Sequence, residues 1–270
     1  MRVFCVFGDD RVQRSKSPAM HNKAFGLRNF DAHYVSFSVE PGMLETAMKG
    51  FRAMGFSGAN VTIPHKENIV QLLDGLTSTA NKLQAVNTLY WQDGALIGDN
   101  TDVGGFCDAL PAVGCMVVGK KCLVLGNGGA ARGVVMGLLL LGASQVFVTG
   151  RQYNKSRQIA QCLEADSIRI EQIATCLREV SLIVNATPVS SPGEADESMN
   201  WLAGSIEGPE IELIFDINYG RSQNIWENSA KRIGAEFSDG LIMLAAQAAR
   251  SFNLWTGESA TVSEFMAHLG

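Results

Sequence analysis

A lysine just past a proline, two serines ahead of another proline, and a crowded run of acids and amides are the side chains here best suited to chemistry. Residues 60–66 read NVTIPHK. Asn60 and Thr62 alternate with Val61 and Ile63, as on a strand with two different faces, and Pro64 removes a ladder donor and stops that strand. A helix expected over 67–73 would start beside Lys66, so that Asn60, Thr62 and Lys66 converge at a strand's carboxyl end, where open α/β sheets hold ligands. An ordinary strand with a solvated lysine fits the same letters. Ser15 and Ser17 lie in SKSP, ahead of a helical pattern over 19–25. Ser17 before Pro18 suits an N-cap followed by proline in the first turn. Two hydroxyls at a helix amino end also suit a carboxylate, because hydroxyl and backbone donors point the same way. Residues 98–106 read GDNTDVGGF, with two acids and an amide crowded at a helix start. Such a cluster has little value in a core and points to a ligand, while Thr101 or Asp102 as the helix cap is the plainer use.

A second chemistry is written at 121–150. Apolar KCLVL is followed by Gly126, Asn127, Gly128, Gly129, Ala130 and Ala131, then an apolar helix and a strand over 145–149. Strand, glycine-rich turn, helix and strand within about 30 residues is the setting in which a GxGxxG-like turn binds a dinucleotide. Gly126 and Gly128 match that pattern, and Ala131 fills the third small position. The glycines allow close approach of a pyrophosphate, which rests on the helix amino end. An NAD site usually carries an acid after the second strand to hold the ribose hydroxyls. This chain has Gly150, Arg151, Gln152, Tyr153, Asn154 and Lys155 there. Two cations and no acid favour a ribose phosphate, hence NADP.

These segments need a scaffold, and 270 residues leave room for two domains or one large α/β domain. At 46% apolar and 18% charged, with 28 glycines and 7 prolines, the composition is that of an ordered globular protein. A net charge of −5 argues against a nucleic acid or an anionic membrane as partner. The six cysteines form no CxxC pair and no metal-ligand spacing, which suits free thiols in a reducing cytoplasm and no metal site. The first residues open directly into an apolar strand, without a secretory pattern. The most apolar stretch, 134–141, is far short of the roughly 18 residues of a membrane span. Strands at 3–7, 33–39 and 60–63 alternate with helices, the second over 42–55 with Met43, Leu44, Ala47 and Phe51 inward, so a mainly parallel sheet is expected. A short helix over 78–83 precedes a hairpin of 85–90 and 95–98 about Asp93-Gly94. Further on, apolar strands at 182–185 and 213–216 lead into Thr187 and Tyr219, and the small, acidic run 190–208 reads as a surface loop. A long helix over 241–254 carries Leu244, Ala248 and Phe252 on one face, with Met243 and Gln247 sharing another, and a final helix covers 262–268.

Six motifs stand in order along nearly the whole chain: SKSP with His21 and Asn22, NVTIPHK, AVNT at 85–88, GDNTDVGGF, GNGGAARG, and DGLIMLAAQAARSFNLWTG at 239–257. In these the chain resembles the shikimate dehydrogenase family. The resemblance implies an α/β protein of two domains. One is an α/β substrate domain with a mainly parallel sheet over 1–103 plus 239–270; the other is a Rossmann-type NADP-binding domain over 104–238. It implies reversible reduction of 3-dehydroshikimate by NADPH to shikimate, on the route to aromatic amino acids, by a cytoplasmic monomer or homodimer. By position, Ser15 and Ser17 would bind the substrate carboxylate, with Tyr219 near it, and Thr62, Asn87, Asp102 and Gln247 its hydroxyls. Gly126, Asn127, Gly128, Gly129, Ala130, Arg151, Lys155, Thr187 and Gly240 would hold the cofactor. Lys66 and Asp102 would be the catalytic pair, because hydride transfer to a ketone leaves an alkoxide that needs a proton. Three places depart from the family pattern: RVQR at 11–14 in place of a PIxH-like loop, Gly150 and Gln152 beside Arg151 in place of Asn and Thr, and Gly220, Arg221, Ser222 in place of a proline-containing loop. They leave open a quinate-directed or broader paralogue, including one that uses NAD, although both serines favour shikimate. A non-catalytic, ligand-sensing relative would be expected to lose Lys66 and Asp102. With Arg151 reading the ribose phosphate, Arg151→Ala raises the Kd for NADPH far more than for NADH; titration of both cofactors checks this, and equal losses would show that Arg151 does not read the phosphate.

Overall fold

Apolar, β-branched runs separated by glycine and aspartate turns form two six-stranded sheets in this computed structural model, which describes residues 1–269. The first part runs β1 (Arg2–Gly8), α1 (Ser17–Leu27), β2 (Ala32–Ser38), α2 (Leu44–Ala53), β3 (Gly58–Val61), β4 (Gly75–Leu76), α3 (Ser78–Leu83), β5 (Thr88–Gln92), β6 (Ala95–Asp99) and α4 (Thr101–Ala112). Its sheet has the order β2-β1-β3-β5-β6-β4. β1 pairs parallel with β2 and β3, and β4 with β6, while β5 runs antiparallel to β3 and β6. The β5–β6 reversal is made by Asp93 and Gly94 at φ 50° and 81°, the left-handed pair a tight hairpin requires.

The second part runs β7 (Lys121–Leu125), α5 (Gly129–Leu140), β8 (Gln145–Thr149), α6 (Tyr153–Leu163), β9 (Asp166–Ser167), α7 (Ile173–Cys176), β10 (Leu182–Asn185), α8 (Glu197–Ser205), β11 (Leu213–Asp216), α9 (Ile225–Ile233) and β12 (Glu236–Ser238). Its order, β12-β11-β10-β7-β8-β9 with every pairing parallel, is that of a Rossmann sheet. α10 (Leu241–Thr256) and α11 (Val262–Ala267) close the chain. Two compact units result, Met1–Gly105 with Leu244–Gly270, and Phe106–Met243.

In the first unit the two-residue period of β1 feeds two cores. Phe4 and Val6 face a cluster with Met20, Phe25, Phe252 and Trp255, while Cys5 and Phe7 face Leu44, Met48, Phe51 and Leu89. Ala245, Ala248, Ala249 and Phe252 bring α10 into the first cluster, so the carboxyl-terminal helix packs with the amino-terminal sheet. The second unit buries Leu123, Ile183, Ile214 and Trp226 in a core of its own.

Three local expectations are corrected. The helix expected over 67–73 is a short 3-10 turn, Asn68–Leu72, because the Lys66 carbonyl accepts the N–H of Val86 at 2.8 Å instead of serving a helix. In the helix expected over 42–55, the first turn is a 3-10 turn, Met43 is 49% exposed, and Met48 fills the core. The run 190–208 contains α8, whose amino end is held by Asp196 Oδ1 accepting from Met199 N–H at 2.9 Å and which buries Leu202 and Ala203. All six cysteines are free, and burial pushes the Cys5, Cys122 and Cys176 thiols up to about 12, so none of these three is a ready nucleophile.

His21 stacks on Tyr34 with ring centroids 4.5 Å apart, and neither ring nitrogen has a hydrogen-bond partner among the described residues. Burial, with a smaller contribution from His268, lowers its pKa to about 3. The unfolded chain takes up this proton below about 6.5 while the folded protein does not, so the native state loses about 1.4 kcal/mol per pH unit as pH falls from about 6.5 toward 3. Urea unfolding at pH 6.5 and pH 5 checks this: His21→Phe should lose about 2 kcal/mol less than the parent over that interval, and equal losses would contradict it.

Candidate active site

The end of β3 turns sharply, and His65 anchors the turn. Thr62 N–H donates to Phe7 O at 3.0 Å, His65 N–H to Thr62 O at 2.9 Å, and the fully buried His65 ring meets Val39 O through Nε2 at 2.7 Å. Lys66 follows directly. Its Nζ lies 2.7 Å from Asp102 Oδ2, with only 12% of the lysine and 9% of the aspartate side chain exposed. Asp102 sits in the first turn of α4, where the helix dipole favours an anion. Its other oxygen accepts from Asn87 Nδ2 at 2.8 Å. A buried ion pair is costly unless its remaining lone pairs are filled, and Asn87 fills one.

Asn87 is held in turn. Its Oδ1 accepts the Thr101 N–H at 2.7 Å and the Thr88 hydroxyl at 2.9 Å. The side chain that meets the first N–H of α4 is therefore Asn87. Asn60 is 7% exposed and its amide is spent in the interior, accepting from Tyr34 Oη at 2.7 Å and donating to Asn87 O, Thr88 Oγ1 and Ser251 Oγ. It does not present its amide to a ligand beside Thr62 and Lys66, since β3 ends at Val61 and its carboxamide lies on the β5 side. Thr88, Thr101 and Ser251 were not singled out from the sequence for this network. Ser251 stands four residues after Gln247, on the same helical face, which is the one signal that could have found it.

Of the other expected ligand residues in this unit, Thr62 is half-buried in the turn. Ser15 and Ser17 stand at the amino end of α1, where Lys16 holds the N-cap position expected for Ser17 and Ser15 Oγ accepts the Ser17 N–H at 3.2 Å. Gln247 is 8% exposed, its Nε2 donating to Leu244 O at 2.9 Å, so it is not a solvated helical glutamine. The glycines of GDNTDVGGF let α4 meet α10: a Cβ at Gly105 would come within 2.8 Å of the Gln247 backbone nitrogen.

In the second unit Gly126 has φ 127°, and a Cβ there would come within 2.7 Å of Ala186 O. Only glycine fits this turn. Gly128 precedes α5 without a side-chain cap, so the first N–H groups of Gly129, Ala130 and Ala131 have no side-chain cap. Asn127 does not extend freely, because its Nδ2 donates to Gln152 O at 2.9 Å. Arg151 and Lys155 are exposed beyond β8, and an open cavity of about 430 Å³ is lined by Gln152, Tyr153, Asn154, Lys155 and Arg169. Thr187 donates through Oγ1 to Asn185 Oδ1 at 2.7 Å, and Gly240 N–H donates to Asn218 O at 2.9 Å. Tyr219 is half-buried after β11, its carbonyl accepting from Arg221 at 3.3 Å. Asp216, at the end of β11, is pushed up by burial against the pull of hydrogen bonds from Ser190, Asn224 and Asn218. Cradle, bare helix end and cations fit a phosphorylated dinucleotide.

Comparison with known proteins follows the same division. Residues 6–89 match the family described as shikimate dehydrogenase substrate binding domain, and residues 112–229 match shikimate / quinate 5-dehydrogenase. The chain is 35% identical to the shikimate dehydrogenase (NADP(+)) of Caldanaerobacter subterraneus subsp. tengcongensis, over 95% of this chain and 92% of that protein. The crystal structure of shikimate dehydrogenase from Aquifex aeolicus superposes with a TM-score of 0.88 at 32% identity, over 100% of this chain and 97% of that one. That of the Thermus thermophilus enzyme in complex with NADP(H) and shikimate gives 0.86 at 32% identity, over 100% and 98%.

Proposed function

Because the chain belongs to the shikimate dehydrogenase family, we propose that it reversibly reduces 3-dehydroshikimate with NADPH to shikimate. The observation that carries this reading is the Lys66–Asp102 pair, 2.7 Å apart and nearly buried, with Asn87 on the second carboxylate oxygen. Lys66 donates the proton that the alkoxide needs in reduction and receives it in oxidation. Asp102 fixes the direction of the ammonium and, with Asn87, Thr62 and Gln247, meets the ring hydroxyls. Ser15 and Ser17 bind the ring carboxylate at the amino end of α1. Residues 1–103 with 239–270 form the substrate domain and 104–238 the NADP domain, a reading supported by the compact units of the chain.

NADPH supplies the hydride. Gly126, Asn127, Gly128, Gly129 and Ala130 hold its pyrophosphate, Arg151 and Lys155 its ribose phosphate, and Thr187 and Gly240 complete the contacts. No helix among the described residues is long and apolar enough to cross a membrane. With all six cysteines free, a cytoplasmic monomer or homodimer is the form we assign.

An absorbance assay of the reduced nicotinamide across shikimate and quinate, each with NADP and NAD, tests the substrate and cofactor together. Shikimate with NADP should be the fastest pair. Lys66→Ala should lower turnover by roughly 10² to 10⁴ with a modest change in substrate binding, and near-parental turnover would remove Lys66 from the chemistry.

A further inference from the structure

Thr88 is fully buried, at 0% exposure, and the proposed mechanism gives it no task. Its Oγ1 lies 2.9 Å from Asn87 Oδ1, 3.1 Å from Asn60 Nδ2, and 3.0 Å from both Thr101 Oγ1 and Ser251 Oγ. A hydroxyl carries one proton and two lone pairs, so only one of these four neighbours takes its proton. Asn60 Nδ2 faces the Asn87 main-chain oxygen at 3.1 Å, while Asn60 Oδ1 accepts from Tyr34 Oη at 2.7 Å. That amide cannot turn over without losing its bond to the carbonyl, so toward Thr88 it donates. Ser251 Oγ lies 3.1 Å from Gln247 O, a pure acceptor, and gives its proton there. Asn87 Oδ1 already accepts the Thr101 N–H at 2.7 Å, so it faces Thr88 as an oxygen. Ser251 Oγ, its own proton spent, is a second acceptor toward Thr88 at 3.0 Å; the Thr88 proton goes to the shorter contact, Asn87 Oδ1 at 2.9 Å, an oxygen that the Thr101 hydroxyl also meets at 3.1 Å.

We infer that Thr88 is a positioning residue for the catalytic pair: its hydroxyl holds the Asn87 amide so that Nδ2 meets Asp102 Oδ1 and leaves Oδ2 to Lys66. A reversed Asn87 amide would set its oxygen 2.8 Å from a carboxylate oxygen, two acceptors in contact, and would turn an NH₂ group toward the Thr101 N–H. The carboxylate would then leave the line to Lys66. The chain of contacts Asn60, Thr88, Asn87, Asp102, Lys66 lies within one compact unit. This inference rests on Lys66 and Asp102 acting as the proposed acid and base pair.

The test compares Thr88→Val, which keeps the volume and removes the hydroxyl, with Thr88→Ser, which keeps the hydroxyl and removes a methyl. Full-length proteins are assayed with shikimate and NADP, with kcat normalised to the fraction folded by circular dichroism. Thr88→Val should lower kcat about 10- to 100-fold with KM for NADP changed less than about twofold, and Thr88→Ser should stay within about threefold of the parent. A role in packing alone gives the opposite order, because serine opens a cavity and valine does not. An unchanged kcat per folded Thr88→Val molecule, or an equal fall in Thr88→Ser, overturns the inference. If Thr88→Val does not fold, Thr88→Cys takes its place under the same criteria, since a thiol is a weak donor. An active parent with an unaffected Thr88→Val removes only this inference, whereas a parent inactive on shikimate removes the function it rests on.

Discussion

A charge pair taken out of water constrains the whole first unit. Lys66 and Asp102 are each about nine-tenths buried, and an ion pair in that setting persists only if the lone pairs and protons it does not use on itself are met elsewhere. Removing one partner of such a pair costs about 3–5 kcal/mol, because the other charge is left uncompensated. The structure supplies the lysine from a turn after β3, the aspartate from the first turn of α4, and the amide that steadies the aspartate from the residue just before β5. One sheet brings the three together, since β3 and β5 are hydrogen-bonded neighbours and β5 continues through a hairpin into α4 by way of β6.

The carboxyl-terminal helix completes this arrangement from a distant part of the sequence. α10 packs Ala245, Ala248 and Phe252 into the core beneath β1 and thereby sets Ser251 against Asn60, Thr88 and Thr101. Gly105 removes the Cβ that would otherwise keep α4 away from Gln247. The Lys66–Asp102 network thus depends on contacts that only a folded chain can make. The glycine-rich turn is assembled differently, within one local stretch: β7 delivers Gly126 at φ 127° just before α5, and Arg151 and Lys155 follow the neighbouring strand β8.

That difference explains what could be read from the letters. The glycine-rich turn, its flanking strands and the Asp93-Gly94 hairpin are local, and their residues are demanded by backbone conformation a few positions away. Lys66 and Asp102 could be named because their motifs are distinctive, and the structure places them in contact. The role of Asn60 could not be read, because a polar residue alternating in a strand pattern looks the same whether it faces a ligand or a buried amide. Its partners Thr88 and Ser251 lie 28 and 191 residues away in sequence. The 3-10 turn after Lys66 reads as a helix in the letters for a similar reason: the competing partner, Val86 N–H, is a tertiary one. α8 is not legible in the letters because its apolar residues are too few to set a period, although Asp196 caps it.

Lys66 and Asp102 are proposed to act as one unit. A double-mutant cycle on kcat with Lys66→Ala, Asp102→Ala and the combined variant measures this directly. The combined variant should be no slower than the slower single variant to within about threefold, as for groups that work together in one step. Losses that multiply, each substitution costing its full factor in the presence of the other, would show two independent contributions and contradict it.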